Sequence, residues 1–268
     1  MTRRRVKTWC GVPIAELRAR WNRDNVYVYG TIDSTNAVAR DLVAEGVAAG
    51  TVVMSRAQSA GRGRGDHTFH SPADRGVYLT MIFDPRGDWS STPVTVLAGL
   101  GVATELERAF PELKPGLKWP NDLIARDRKL GGILAETVGA PDGRDRLVIG
   151  VGVNLTTDAL PEELDGRAVG VLECCDQAEP SDVADAVVRG LETWLHSPPE
   201  ILSEAMLAEL DRLDRLKNHR LAVTDVESTP ILGRAAGLAP DGALLFRPDR
   251  GALRRITTGS VEILGELS

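Results

Sequence analysis

Several large protein classes are excluded by what this chain does not contain. No apolar run is long enough to cross a bilayer, and the basic start Arg3-Arg4-Arg5-Val6-Lys7 is not followed by the apolar stretch of a secretory leader. Cysteine is scarce: Cys10 and the adjacent Cys174-Cys175 are the only 3, an odd count that builds no disulfide framework. The expected compartment is therefore the reducing cytoplasm. Positive charge is in deficit, with 32 Lys and Arg against 38 Asp and Glu and a net charge of -6. A duplex-binding protein usually shows the opposite balance, and too little chain precedes residue 25 for an N-terminal helix-turn-helix. Neither a G-x-G-x-x-G fingerprint nor a Gly-Lys-Ser/Thr phosphate loop occurs. Internal repeats and low-complexity segments are also missing. What remains, 268 residues with 43% hydrophobic and 26% charged content, suits a globular protein with one large domain and a small one.

The chain is organised around the stretch from Gln58 to Pro72. Gly61, Gly63 and Gly65 alternate with Arg62 and Arg64 just after the apolar run from Thr51 to Met54, which reads as a buried strand. Glycine at every second position favours a loose loop over helix or strand. The two guanidiniums bring planar forks of donors suited to carboxylate or phosphate. A flexible loop closing over an anion is the expectation. A plain solvated loop is the bland alternative, and the long disordered Gly-Arg tails that bind RNA differ from this single short segment. His67 and His70, with Asp66 beside them, invite a metal reading that a glycine-rich loop with no fixed geometry disfavours.

In chain order, residues 1–24 read as a weakly structured tail with a short helix from Ile14 to Trp21. Val26 to Tyr29 is a strand that leads into Asp33-Ser34-Thr35-Asn36 and a helix that Gly46 ends. Those polar residues could simply cap the helix, or hold the polar head of a ligand where unpaired N–H groups point outward. Gly76 to Phe83 is an apolar strand, and a long helix follows with Thr92 as N-cap and Pro93 at the first helical position. Leu117 to Ile124 contains a strand ending at Pro120, with Asn121 and Asp122 behind it. A turn from Asp127 to Lys129 opens the strand Leu130 to Glu136, and a hairpin at 141–146 returns through Leu147 to Asn154. Both carry glycines that let something approach the backbone. Two amphipathic helices follow. From His219 onward, short strands and turns predict a small β barrel-like domain.

With those pieces in order, the chain resembles the biotin protein ligase family. The resemblance runs from Val26 onward and rests on Asp33-Ser34-Thr35-Asn36, the run from Gln58 to Arg64, Ser71-Pro72, Lys118 to Asp122, Lys129 to Glu136 and Gly150 to Asn154. It implies an α+β fold: a catalytic domain of the class II aminoacyl-tRNA-synthetase/lipoyl-transferase-like type, with a mixed sheet flanked by helices, and a C-terminal SH3-like β barrel. The domains expected are a tail and helix over 1–24, the biotin and ATP domain over 25–217 and the SH3-like domain over 218–268, a short form without an N-terminal DNA-binding domain. By resemblance, Ser34, Thr35, Asn36 and Gln58 would bind biotin together with Arg62, Gly63, Arg64, Lys129 and Gly132. Arg64, Trp119, Asn121, Lys129 and Asn154 would bind ATP or the adenylate, although a tryptophan at a strand end also reads as core. Lys129, Arg62, Arg64 and Asp122 would carry catalysis. No metal ligand is assigned directly; Mg²⁺ would arrive on the ATP phosphates, with Asp122 beside it. Family members commonly continue the loop as Arg-Arg-Gly-Arg and then tryptophan, whereas here it runs from Arg64 through Gly65-Asp66-His67 to Phe69. That departure implies weaker retention of the intermediate.

The implied activity is ATP-dependent formation of biotinyl-5′-adenylate, then transfer of biotin to a lysine of a biotin carboxyl carrier domain in an acyl-CoA carboxylase or pyruvate carboxylase. Lipoate or octanoate transfer on a related fold is the alternative within enzymes, and a biotin-binding regulator without turnover is the alternative outside them. Neither DNA nor membrane is an expected partner. A homodimer stays open, since an exposed sheet edge could pair with a second copy.

Overall fold

The computed structural model describes residues 3–65, 67–84, 93–195, 199–224 and 229–266. Its N-terminal segment, expected to be loosely held before its helix, forms a hairpin of β1 (Thr8–Trp9) and β2 (Val12–Pro13) that runs into α1 (Ile14–Arg20). Burial explains the difference. Trp9 and Leu17 are fully enclosed, and each such side chain contributes on the order of 1.5–3 kcal/mol. The Trp21 indole N–H also donates to Asp185 Oδ1 at 2.7 Å.

Strand β3 (Val26–Ile32) leads to α2 (Thr35–Ala44), whose N-cap Ser34 accepts from the Ala37 N–H at 3.1 Å. Beyond it, Gly46 at φ +79° lets the chain leave the helix. Strand β4 (Val52–Gln58) then pairs parallel to β3, as a helical crossover requires. Next come β5 (Gly76–Phe83) and α3 (Val94–Ala109). Thr92, the expected cap of α3, lies outside the described residues, and Pro93 occupies the N-cap rather than the first helical position. Strands β6 (Gly116–Lys118), β7 (Asp122–Ala125), β8 (Arg128–Gly139) and β9 (Asp145–Asn154) complete a seven-stranded mixed sheet in the order β3-β4-β5-β9-β8-β7-β6.

Helices α4 (Pro180–Leu195) and α5 (Glu204–Leu213) follow. Alternation along β5 sorts the two faces of the sheet. Val77, Leu79 and Met81 join the apolar cluster that holds Leu97 and Leu100 of α3 and Val187 and Leu191 of α4. Ile82 joins Val38, Ala39 and Val43 of α2 in a second cluster on the opposite face. The catalytic-type layer therefore has helices on both sides of a mixed sheet, as expected.

The small all-β unit expected at this end of the chain is a five-stranded antiparallel sheet. Its strands are β10 (His219–Thr224), β11 (Ile231–Leu238), β12 (Leu244–Pro248), β13 (Arg254–Ile256) and β14 (Ser260–Glu266), in the order β13-β12-β11-β10-β14. Leu221, Val223, Leu244 and Phe246 belong to the same buried cluster as α3 and α4. This second sheet is thus fastened to the first by apolar packing, helped by the Trp119 indole N–H donating to Gly242 O at 3.0 Å.

Candidate active site

Pairing register hollows out the α2 face of the large sheet. Tyr78, Gly152, Gly132, Asp122 and Lys118 stand opposite one another across β5, β9, β8, β7 and β6. Residues in register project to one face, so two neighbouring glycines leave a trough between a tyrosine and a charged pair. The next row holds Thr80, Gly150 and Leu134. Above these rows lies a cavity of about 990 Å³, roofed by the Gly-Arg loop and by residues 258–261 of the second sheet.

One end of the cavity is polar and uncharged where α2 begins. Gln58 Oε1 accepts from the Thr35 N–H at 2.8 Å, and its amide donates to Ser71 Oγ at 2.7 Å. Thr80 Oγ1 donates to Asn36 Oδ1 at 2.7 Å and lies 2.8 Å from Thr35 Oγ1. The Asn36 amide donates to Glu136 Oε2 at 2.8 Å. A Cβ on Gly150 would come within 2.1 Å of Asn36 Oδ1, so only glycine leaves room for this arrangement. Each of these side chains is held by at least one neighbour, which limits the cost of burying it, about 1–3 kcal/mol for an unpaired polar group, while the Gln58 amide, with two N–H donors, keeps one for a ligand.

The other end is cationic. Lys129 Nζ sits 2.6 Å from Asp122 Oδ1. Arg62 turns instead toward the α2 end, where it reaches Glu136 Oε1 at 3.3 Å, an oxygen that also accepts from Arg40 at 2.8 Å. Arg64 crosses to the turn between β13 and β14 and donates to Gly259 O at 3.0 Å and Thr258 Oγ1 at 3.2 Å. Burial lowers the Arg64 guanidinium from its ordinary value, partly offset by the Asp122 charge. Burial likewise lowers the Lys118 ammonium, against opposing pulls from Asp122 and Glu262. Among the described residues, four cations, Arg62, Arg64, Lys118 and Lys129, thus line the cavity with a single carboxylate, Asp122.

The glycine loop is more ordered than its composition implies. Arg62 and Thr68 form a β-bridge, the Gly63 N–H donates to His67 O at 2.7 Å and the Phe69 N–H donates to Gly61 O at 3.0 Å. Phe69 packs edge-on against Tyr78, with ring centres 6.4 Å apart, in the gap above Gly152. A backbone hairpin and one aromatic anchor therefore hold a segment that the glycines alone would leave loose. Asp66 lies outside the described residues. Among the described residues no three His, Cys, Asp or Glu side chains converge as a metal group. The cysteines stand apart from the chemistry too: burial pushes the Cys10 thiol up to about 11, and raises Cys174 and Cys175.

The profile of the biotin/lipoate A/B protein ligase family matches residues 28–154. The bifunctional ligase/repressor BirA of Escherichia coli strain K12 is 30% identical over 229 residues, spanning 84% of this chain and 70% of that protein. The chain belongs to the biotin/lipoate A/B protein ligase family. Another member, the biotin--[acetyl-CoA-carboxylase] ligase of Mycobacterium tuberculosis, is 33% identical over 186 residues, or 64% of this chain and 65% of that one. The biotin protein ligase from Aquifex aeolicus, solved in complex with biotin and ATP, superposes with a TM-score of 0.75 over 91% of this chain and 100% of its own, at 22% identity. That likeness establishes the same fold.

Within this family fold, the cavity gathers Ser34, Thr35, Asn36, Gln58, Arg62, Gly63, Arg64, Trp119, Asn121, Asp122, Lys129 and Gly132. Asn154 is not brought to the lining. Its amide instead lies 3.3 Å from Lys129 O and 3.4 Å from Val169 O, so it steadies the strand that carries Lys129. The side chain of Asn121 is similarly engaged, donating to Ile133 O at 2.9 Å. Sequence reading did not single out Thr80, Glu136, Phe69, Lys118 or the turn at 258–261. Lys118 at least carried a signal, since it lies inside a motif run beside Asp122.

Proposed function

We propose that this protein is an ATP-dependent biotin protein ligase. The observation that carries the reading is a single cavity lined at one end by Ser34, Thr35, Asn36 and Gln58, held in place by neighbours but with donor capacity to spare, and elsewhere by Arg62, Arg64, Lys118 and Lys129. The first end matches the neutral ureido ring of biotin, which needs both donors and acceptors. An apolar dithiolane or alkyl chain would leave Thr35, Asn36 and Gln58 without work, which favours biotin over lipoate or octanoate. The cations match a carboxylate meeting a polyphosphate.

In the proposed reaction the biotin carboxylate attacks the α-phosphorus of ATP, and the bond to the bridging oxygen breaks to release pyrophosphate. The ε-amine of a carrier-domain lysine then attacks the acyl carbon of biotinyl-5′-adenylate, the mixed anhydride bond breaks and AMP leaves. Ser34, Thr35, Asn36 and Gln58 position the ring system. Arg62 and Arg64 hold the carboxylate and α-phosphate, and Lys129 stabilises the charge that develops between them. The ion pair with Asp122 keeps the Lys129 ammonium aimed along the trough when the site is empty. Trp119 and Asn121 shape the nucleotide side, and Asn154 acts at one remove through the Lys129 backbone. The Gly-Arg hairpin, held by Phe69 and by Arg64 against the second sheet, excludes water from the adenylate. Since Asp122 is the one carboxylate lining the cavity among the described residues, they suit Mg²⁺ entering with the nucleotide and not a protein-built cage; the ion would offset phosphate charge. The acceptor would be a biotin carboxyl carrier domain of a carboxylase, and the setting cytoplasmic.

The test is transfer of labelled biotin to a carrier domain with ATP and Mg²⁺, for wild type and Lys129→Ala side by side. ATP-dependent labelling by the wild type, reduced by about 10²-fold or more in the variant, is the expected result. Biotin binding without any labelling by the wild type would make the protein a binder without turnover.

A further inference from the structure

We propose that Lys118 is the cation that holds the pyrophosphate portion of ATP while the adenylate forms. The inference rests on the ligase reading and extends it to a residue whose role that reading leaves open. Lys118 ends the cross-strand row Tyr78, Gly152, Gly132, Asp122, Lys118, and it lines the cavity. Strands in a sheet are spaced by about 4.8 Å, so the row is a ruler laid along the trough. The Lys129 and Asp122 pair stands over Gly132, with Lys129 Cε 3.8 Å and Asp122 Oδ1 3.7 Å from where a Cβ there would lie. If those groups flank the reacting carboxylate and α-phosphate, Lys118, one strand beyond Asp122 and two beyond Gly132, lies farther from the biotin end, where the β- and γ-phosphates would extend.

Charge pairing points the same way. Lys129 is neutralised by Asp122, Arg62 by Glu136, and Arg64 donates to uncharged oxygens of the second sheet. Lys118 has no hydrogen-bond or ion-pair partner among the described residues, although Asp122 on β7 and Glu262 on β14 act on it from a distance and Lys129 opposes it. A half-buried ammonium without a direct partner is costly unless a ligand supplies the anion. Burial already lowers its affinity for a proton, as expected of a cation awaiting a counter-charge. Of the two chemical steps, only the first involves pyrophosphate, so Lys118 should matter to that step and far less to transfer.

Two half-reactions separate the possibilities. Biotin-dependent exchange of labelled pyrophosphate into ATP reports the first, and transfer from preformed biotinyl-5′-adenylate to the carrier domain reports the second. Lys118→Met should lower exchange by about ten- to a hundredfold, the loss expected for one charged hydrogen-bonding partner, with a raised KM for ATP. Its transfer from the preformed adenylate should stay within about threefold of wild type on the same reasoning, and Lys118→Arg should recover much of the exchange. Equal loss in both half-reactions, or none in exchange, would overturn the assignment. A wild type that catalyses neither half-reaction would instead sink the ligase reading, and this assignment with it.

Discussion

Asn36 shows how little freedom the site leaves to a single side chain. It is 5% exposed, its amide is held by Glu136 and its carbonyl by Thr80. Gly150 lies beneath it, and an alanine there would place a methyl group 2.1 Å from Asn36 Oδ1. Any other rotamer breaks the bonds to Glu136 and Thr80. Gly150→Ala should therefore weaken biotin binding by about tenfold or more, equivalent to one mis-set buried hydrogen bond, as read by titration calorimetry. Unchanged affinity would mean that Asn36 does not touch the ligand. Sequence made Asn36 and Gly150 visible separately, a polar residue at a helix mouth and a glycine in a strand. Their contact was not visible, because it depends on the register between β5 and β9 and on the approach of α2. Thr80 was hidden more completely: inside the apolar run from Gly76 to Phe83 it looks like one more core position.

At the scale of elements, β8 joins the two ends of the cavity. It supplies Lys129 at one end, Gly132 in the trough and Glu136 at the other, where one carboxylate accepts from Arg40 and Asn36 of α2 and from Arg62 of the loop. Glu136 thus ties helix, strand and loop together. Glu136→Gln retains the shape and one acceptor but removes the charge that attracts both arginines. Its partners Arg40 and Arg62 are 35% and 46% exposed, so solvent screens the pairs and the stability loss should be about 1 kcal/mol, measured by urea denaturation. Biotin affinity should fall by about three- to tenfold, because Asn36 and Arg62 lose a shared anchor. If affinity holds while stability falls, Thr80 alone sets Asn36. Strands β3, β4, β5, β8 and β9 and helix α2 were legible because local periodicity and capping chemistry agree with the final fold, whereas the β1–β2 hairpin, held by the burial of Trp9, was not. The loop hairpin was not, since its order comes from Phe69 packing above Gly152, a contact between segments that are distant in sequence. For the same reason nothing local announced that Arg64 would meet the turn at Thr258.

The whole molecule sets the charge contrast on which ATP capture depends. The chain is acidic overall, at -6, yet its cavity presents Arg62, Arg64, Lys118 and Lys129 against Asp122. A positive cleft in a protein of net negative charge concentrates polyanions locally, and dissolved ions screen that attraction. The two ligands should then respond differently to salt. Screening shortens the reach of these charges to about 10 Å at 0.1 M and to about 3 Å at 1 M. ATP, which meets several cations at once, should show a KM that rises several-fold as ionic strength goes from about 0.05 to about 0.5 M. Biotin owes most of its binding to the neutral pocket at α2 and has only one carboxylate, so its Kd should change by less than about twofold over the same range. Lys118→Met should flatten the ATP response while leaving the biotin response as it was, because it removes a cation from the phosphate end alone. Equal salt sensitivity of the two ligands would locate biotin's binding energy in the arginines of the loop, and the polar pocket would then serve orientation more than affinity.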